Sequence, residues 1–254
     1  MKLILRLSMC LLCLLKPAFA LEVTHKMSTS IGVFDACEQS LIYRFYGDKD
    51  YDIKTTLHTT GVFGTLYSFR AMYHAVGTYQ KQNFKPQDYF YEAHSAFHDR
   101  TKEIVYKDGV PQYRISTKDK SKRKDKIVVD EKYDSAIDLL STFALLTEQV
   151  IRQNNCDMER YSFNGKKYTL STVKSRGKEK IKTPYFAGKA LKCEYHLEVL
   201  DDADAGFLLT KDVPIYFWVL RDEKSDAPFV AKIVVESTPF GKLESLTTEI
   251  EVKK

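Results

Sequence analysis

The sequence predicts a mainly β chain with one helix, in an antiparallel sheet that curves to cover that helix. Three observations carry this expectation. Tight-turn pairs recur: Gly47-Asp48, Asp108-Gly109 and Asn164-Gly165 each stand between strand-like segments, and Asp-Gly and Asn-Gly tolerate the positive φ of two-residue hairpin turns. Between turns the chain alternates. In residues 191–199 the odd positions are apolar and the even ones polar, the period of a strand with one buried face. One segment breaks the pattern, because Ile137, Leu140, Phe143, Ala144, Leu146, Val150 and Ile151 recur at spacings of three and four, which is a helix with a broad apolar face.

In chain order, the first twenty residues come first. MKLILRLSMCLLCLLKPAFA combines basic Lys2 and Arg6 with an apolar run and the small-x-small ending Ala18-Phe19-Ala20, the layout of a secretory signal peptide cleaved between Ala20 and Leu21. The run is shorter than the ~20 residues of a membrane span. Cys10 and Cys13 follow Met9 and Leu12 rather than a small residue, so neither is expected to carry a lipid. After cleavage 234 residues remain, with no Pro/Gly/Ser linker and no internal repeat, which predicts a single domain over 21–254.

Strands are expected near 23–30, 38–46, 51–59, 68–79, 87–97, 101–107, 110–117, 158–164, 167–174, 190–199, 213–221, 227–237 and 243–252. The helix is expected over 135–153, with Ser135 and Asp138 resembling a capping box and Asn154-Asn155 suited to a left-handed end. Tyr216, Phe217, Trp218 and Val219 make their strand apolar on both faces, as is much of 229–235. Something must cover the second face, and the helix can do so.

Loss of Lys2, Arg6 and Lys16 lowers the formal charge from +5 to +2, which does not favour a generic nucleic-acid binder. Two local basic runs remain, Lys118–Lys126 (KDKSKRKDK) and residues 174–182 (KSRGKEKIK), both expected as solvated loops; the first is a candidate for peripheral membrane contact.

Catalytic patterns are missing. Ser171 and Lys174 have Ser-x-x-Lys spacing, but in a strand they point to opposite faces. His94 and His98 would lie about 13 Å apart along a strand, too far for one metal without ligands from elsewhere. The acidic run from Asp201 to Asp212 has calcium-loop length, yet alanines stand at its third and fifth positions. No Gly-x-Ser-x-Gly, His-Glu-x-x-His or phosphate-binding glycine loop occurs. Neither catalysis nor a cofactor or metal is expected. Tyr67, Phe69, Tyr73, Tyr79, Tyr89 and Tyr91 are candidates either for cross-strand packing or for lining a ligand cavity.

Three cysteines remain in the exported chain, Cys37, Cys156 and Cys193, and three pairings are possible. Cys156 follows the helix directly and Cys193 lies on the apolar face of a later strand, so a bond between them would tie the helix exit to the sheet. Cys37 could pair with either.

Several segments together resemble a known family: Thr60-Gly61-Val-Phe-Gly64-Thr-Leu-Tyr67-Ser-Phe-Arg70, the central helix, Cys156 leading into Tyr161-Ser-Phe-Asn-Gly-Lys-Lys-Tyr168, then Phe186-Ala-Gly-Lys-Ala-Leu-Lys-Cys193 and Pro239-Phe-Gly-Lys-Leu243. The chain resembles the domain of unknown function 3108 family of bacterial periplasmic proteins over nearly all of its exported length. The resemblance implies an antiparallel β barrel or strongly curved half-barrel sheet with one packed helix, somewhat like the lipoprotein-localisation carriers, and no established activity. It also supports pairing of Cys156 with Cys193. The lysine-rich stretch near 118–126 and the acidic loop 201–206 depart from it. Two functional classes follow, a non-catalytic periplasmic carrier of a hydrophobic envelope ligand such as a lipid, and a structural or protein-interaction component of the envelope with a filled core. Candidate lumen-lining residues are Tyr67, Phe69, Tyr73, Leu140, Phe143, Phe217 and Trp218. The expected oligomeric state is a monomer.

Overall fold

A computed structural model of the protein describes residues 20–47, 49–80, 83–200, 213–222 and 227–253. The expected signal segment before Ala20 and the acidic loop Asp201–Asp212 lie outside these residues. Alternating sequence gives strands β1 (Ala20–Ile31), β2 (Phe34–Tyr46), β3 (Asp50–Thr59), β4 (Phe69–Gln80), β5 (Asn83–Ser95), β6 (Asp99–Lys107), β7 (Val110–Lys118), β8 (Ser121–Lys126), β9 (Met158–Phe163), β10 (Tyr168–Lys182), β11 (Ala187–Val199), β12 (Ile215–Arg221), β13 (Pro228–Thr238) and β14 (Gly241–Lys253). A short helix α1 spans Gly61–Leu66, a 3-10 turn Glu131–Tyr133 and the main helix α2 Leu139–Gln153.

The strands form one 14-stranded sheet in the order β8-β7-β6-β5-β4-β3-β2-β1-β14-β13-β12-β11-β10-β9. Every pair of neighbours is antiparallel, and β1 holds the middle by pairing with β2 on one side and β14 on the other. The end strands β8 and β9 are not neighbours, so the sheet does not close into a barrel. Register shifts between β1 and β2, β4 and β5, β6 and β7, and β12 and β13 leave one extra residue in the second strand of each pair, and such bulges bend strands and increase their twist. At the β4 shift stands Gly77, where a Cβ would lie 2.5 Å from the Lys85 carbonyl oxygen and 2.6 Å from the Tyr51 hydroxyl. Only glycine permits that approach.

Helix α2 touches β3, β4 and β5 from one half of the sheet and β9 and β13 from the other, so the sheet wraps around it. Ser141, Thr142, Ala144, Leu145, Leu146, Thr147, Glu148 and Val150 are buried, far more than one stripe. The helix starts later than the 135–153 expectation. Ile137 instead forms a parallel bridge to Ser162, with its N–H donating to the Tyr161 carbonyl and its own carbonyl accepting from Phe163. Asp138 is therefore the N-cap, accepting from the Ser141 N–H at 2.9 Å and the Ser141 hydroxyl at 2.5 Å. At the other end Asn154 adopts the left-handed conformation, φ 52°, and the Arg221 guanidinium donates to the carbonyls of Val150 and Ile151.

Packing under the helix is continuous. Val23, Tyr43, Phe45, Tyr51, Ile53, Tyr79 and Phe84 meet Leu145, and Met27, Val173, Phe217, Val219 and Val230 meet Leu146 and Val150 around Cys156 and Cys193. A third cluster, Ala75, Tyr89, Ile104, Tyr106, Tyr133 and Phe163, joins the two ends of the sheet. Both basic runs differ from the loop expectation. Residues 118–126 form the β7–β8 hairpin, turning at Asp119 and Lys120 with φ of 48° and 74°, and 174–182 continue β10 through a register shift beside Gly177. Charged side chains suit β8, an edge strand whose far side must resist pairing.

Two buried ionisable groups oppose each other in pH. Burial pushes the Asp138 carboxyl up to about 6 and the His25 imidazole down to about 4. For Asp138 the folded state holds its proton more tightly than the unfolded state, so its contribution falls as pH rises through 6. For His25 the unfolded state binds the proton more tightly, so stability falls as pH drops from 6.5 to 4. From about pH 4.5 to 6.5 each is worth roughly 2 kcal/mol, and the two nearly cancel. Urea unfolding should therefore find Asp138→Asn losing stability on acidification across this window and His25→Gln gaining it, relative to a flatter parent. Parallel profiles for all three proteins would refute the assignment.

Candidate functional site

The third cluster does not fill the concave face. On β6 the alternate positions beyond buried Tyr106 and Ile104 are Lys102 and Arg100. Register sets Arg114 opposite Ile104, Ser116 opposite Lys102 and Lys118 opposite Arg100. With Tyr73 of β4, Tyr89 and Tyr91 of β5, Leu139 at the helix start and Phe163, Asn164 and Lys166 near the β9–β10 turn, these residues line an open cleft of about 690 Å³. That is within the ~300–1,000 Å³ range of small-ligand sites.

Aromatic and aliphatic surface forms one side of the cleft. The Tyr73 and Tyr91 rings lie 4.8 Å apart between centroids, tilted by 40°, and burial pushes the Tyr73 hydroxyl up to about 12, so it stays neutral. Five cations, Arg100, Lys102, Arg114, Lys118 and Lys166, join the uncharged Thr101, Ser116, Thr117 and Asn164 in the rest, and no carboxylate is among the lining residues. Lys102 Nζ donates to the Asn164 carbonyl at 2.7 Å and lies 5.7 Å from the Tyr91 ring centroid. Arg114 donates to the Gly165 carbonyl at 3.1 Å and to Asp125 at 2.6 Å, while its Nε is buried without a hydrogen-bond partner. These contacts hold the β9–β10 turn against β6 and β7, bridging the gap the open sheet leaves. Burial first, then the Arg114 charge, moves the Lys102 ammonium below the ordinary lysine range.

The candidate lining residues scatter. Tyr73 lines the cleft. Leu140, Phe143 and Phe217 pack into the filled core, where the void beside Phe143 and Phe217 is about 20 Å³, room for a single water. Tyr67 is stacked on Phe69 and exposed Phe97 at the rim, outside the cleft, because α1 ends the β3–β4 connection there. Trp218 requires correction as a lumen residue: its neighbours Phe217 and Val219 point to the helix, so Trp218 points to the convex face. There it packs with Ala190 and Val234, and the ammonium groups of Lys192 and Lys232 lie 5.2 and 5.5 Å from its ring.

Cys156 and Cys193 are disulfide-bonded, and Cys37 is a free, partly exposed thiol. β5 ends at Ser95, so His94 and His98 do not share a strand face; each binds a separate aspartate, Asp99 and Asp119. Ser171 is buried with its hydroxyl 3.1 Å from that of Tyr195, and Lys174 is exposed on the other face. Among the described residues no cluster of three or more His, Cys, Asp or Glu side chains could hold a metal, and no helix is long and apolar enough to cross a membrane. The calcium-loop candidate from Asp201 lies outside them.

Sequence reading missed Arg100, Lys102 and Arg114. The signal was parity, since Arg100 and Lys102 share the alternate positions of Ile104 and Tyr106, the positions that the apolar pattern assigns to the buried face.

Among solved structures, the chain is similar to a β-barrel-like protein of domain of unknown function DUF1849 from Brucella abortus. The TM-score is 0.53 at 6% identity, covering 92% of this chain and 98% of that one. At that identity the likeness concerns the fold alone. No curated protein matches the sequence. The sequence model of the protein of unknown function family DUF3108 matches residues 32–247, nearly the whole curved sheet with its helix and disulfide, and the chain belongs to that family.

Proposed function

We propose that this is a non-catalytic periplasmic protein that binds or carries a hydrophobic envelope ligand of lipid type. The cleft carries this reading: about 690 Å³ of open space with tyrosine, phenylalanine and leucine on its walls, beside Leu139 at the start of the helix. The signal-like N-terminus and the disulfide fit an oxidising, exported setting. Beside the cleft, the β5–β6 and β7–β8 turns expose Phe97, Lys118, Lys120 and Lys122, and Tyr67 stacks on Phe97. An apolar and basic rim of this kind suits peripheral contact with an anionic membrane.

A second reading has its own support. The core beneath the helix is filled apart from the 20 Å³ void, which favours a structural or interaction component of the envelope. A neutral apolar fluorophore separates the two. Titration with N-phenyl-1-naphthylamine should give saturable one-to-one enhancement, and Leu139→Trp, which fills the cleft from a half-exposed position, should weaken it by about tenfold. A non-saturable response from the parent protein removes the carrier reading and leaves the scaffold.

A further inference from the structure

We propose that the cleft selects anionic amphiphiles, with Arg100, Lys102 and Arg114 taking a carboxylate or phosphate head group and Tyr73, Tyr89, Tyr91 and Leu139 taking the adjoining apolar carbons. This rests on the reading of the cleft as a lipid site and adds the sign of the ligand's charge.

The argument starts from strand register. Arg100 and Lys118 stand directly opposite each other on β6 and β7, a like-charge pair that weakens a sheet. Sheet stability alone gives no reason for that pair. Lys102 sits one alternation deeper, beside buried Ile104, where an ammonium loses much of its hydration. Neither Arg100 nor Lys102 forms an ion pair with a carboxylate among the described residues, and Asp125, which pairs with Arg114, shares its charge with Arg123.

Holding the β9–β10 turn does not exhaust these donors. Lys102 gives one of its three protons to the Asn164 carbonyl, and Arg114 gives its two terminal nitrogens to Gly165 and Asp125 while its buried Nε has no partner. Several N–H groups therefore converge next to the aromatic surface of the same cleft, with Lys102 directly opposite Tyr91 in the β5–β6 register. A negative oxygen there would gain charge-assisted hydrogen bonds, and an attached chain would cover tyrosine faces. A free anion would satisfy only the first half of that arrangement, and a neutral lipid only the second.

Native mass spectrometry with three probes at equal concentration tests the proposal: lysophosphatidic acid, lysophosphatidylcholine of the same chain length, and inorganic phosphate. Lysophosphatidic acid is expected to bind at least ~10-fold more tightly than the zwitterionic lipid, as befits one or two charge-assisted hydrogen bonds. Arg100→Gln, at an exposed position that leaves the core intact, and Lys102→Gln should each weaken lysophosphatidic acid binding more than lysophosphatidylcholine binding and so cut that preference. Equal affinity for the two lipids overturns the charge selection and leaves the lipid cleft standing. Binding of phosphate as tight as that of lysophosphatidic acid also overturns it, because the tail then adds nothing. If neither lipid binds, the lipid cleft and its charge selection fall together.

Discussion

Replacing Cys156 or Cys193 with alanine is expected to destabilise the protein by about 4 kcal/mol, the chain-entropy value for opening a loop of 37 residues. Both cysteines are fully buried, in a cluster with Met27, Leu146, Val150, Val173, Phe217 and Val219. The bond lies two residues beyond the left-handed end of α2 and fastens that exit to β11, next to the strand that carries Phe217. Urea unfolding of the oxidised parent, the reduced parent and each variant measures the effect. Reduction and substitution should cost similar amounts, since both release the same loop. A shift below about 1 kcal/mol in both cases rules out the bond as a main constraint on the unfolded chain. Non-reducing peptide mapping should find Cys37 alkylated and the other two linked.

The second large effect belongs to the helix. Phe143 packs against both clusters beneath α2, and Leu140 touches the first and third, so each bridges parts of the sheet far apart in strand order. Phe143→Ala should cost about 3–5 kcal/mol and Leu140→Ala about 2–5 kcal/mol, by loss of buried surface and by the cavity left behind. Thermal melts of the oxidised proteins provide the measurement. Variants melting with the parent would mean that the sheet holds its curvature without a docked helix. The same substitutions should leave the cleft's binding to apolar probes largely intact, because neither side chain is in its lining.

Much of the fold was legible because strand and helix periods are local properties. The positions of thirteen strands, the helix end at Asn154 and the Asn164-Gly165 turn follow from residues within a few places of each other. Misplacements have specific causes. Ser135 lost the cap to Asp138 because Ile137 pairs with β9, a partner 25 residues away. The run 121–126 became a strand because an edge tolerates charges that a central strand would not. α1 was missed because its six residues have no buried face.

By itself the sequence determined a mainly antiparallel β chain, one apolar helix to be covered, and alternating strands with two unlike faces. Alternation separates Phe217 from Trp218, yet it does not say which of them meets the helix, because that depends on the direction in which the sheet bends. Only the tertiary structure decided that direction, through bulges and long-range pairing of β1 with β14. It also decided the cleft. Tyr73, Lys102, Arg114, Leu139 and Asn164 are spread over some ninety positions, and they converge because β4 to β7 pair in register while the β9–β10 turn reaches across to meet them. Local periodicity fixes the faces of each strand; curvature and register, set by contacts distant in the chain, fix what those faces enclose.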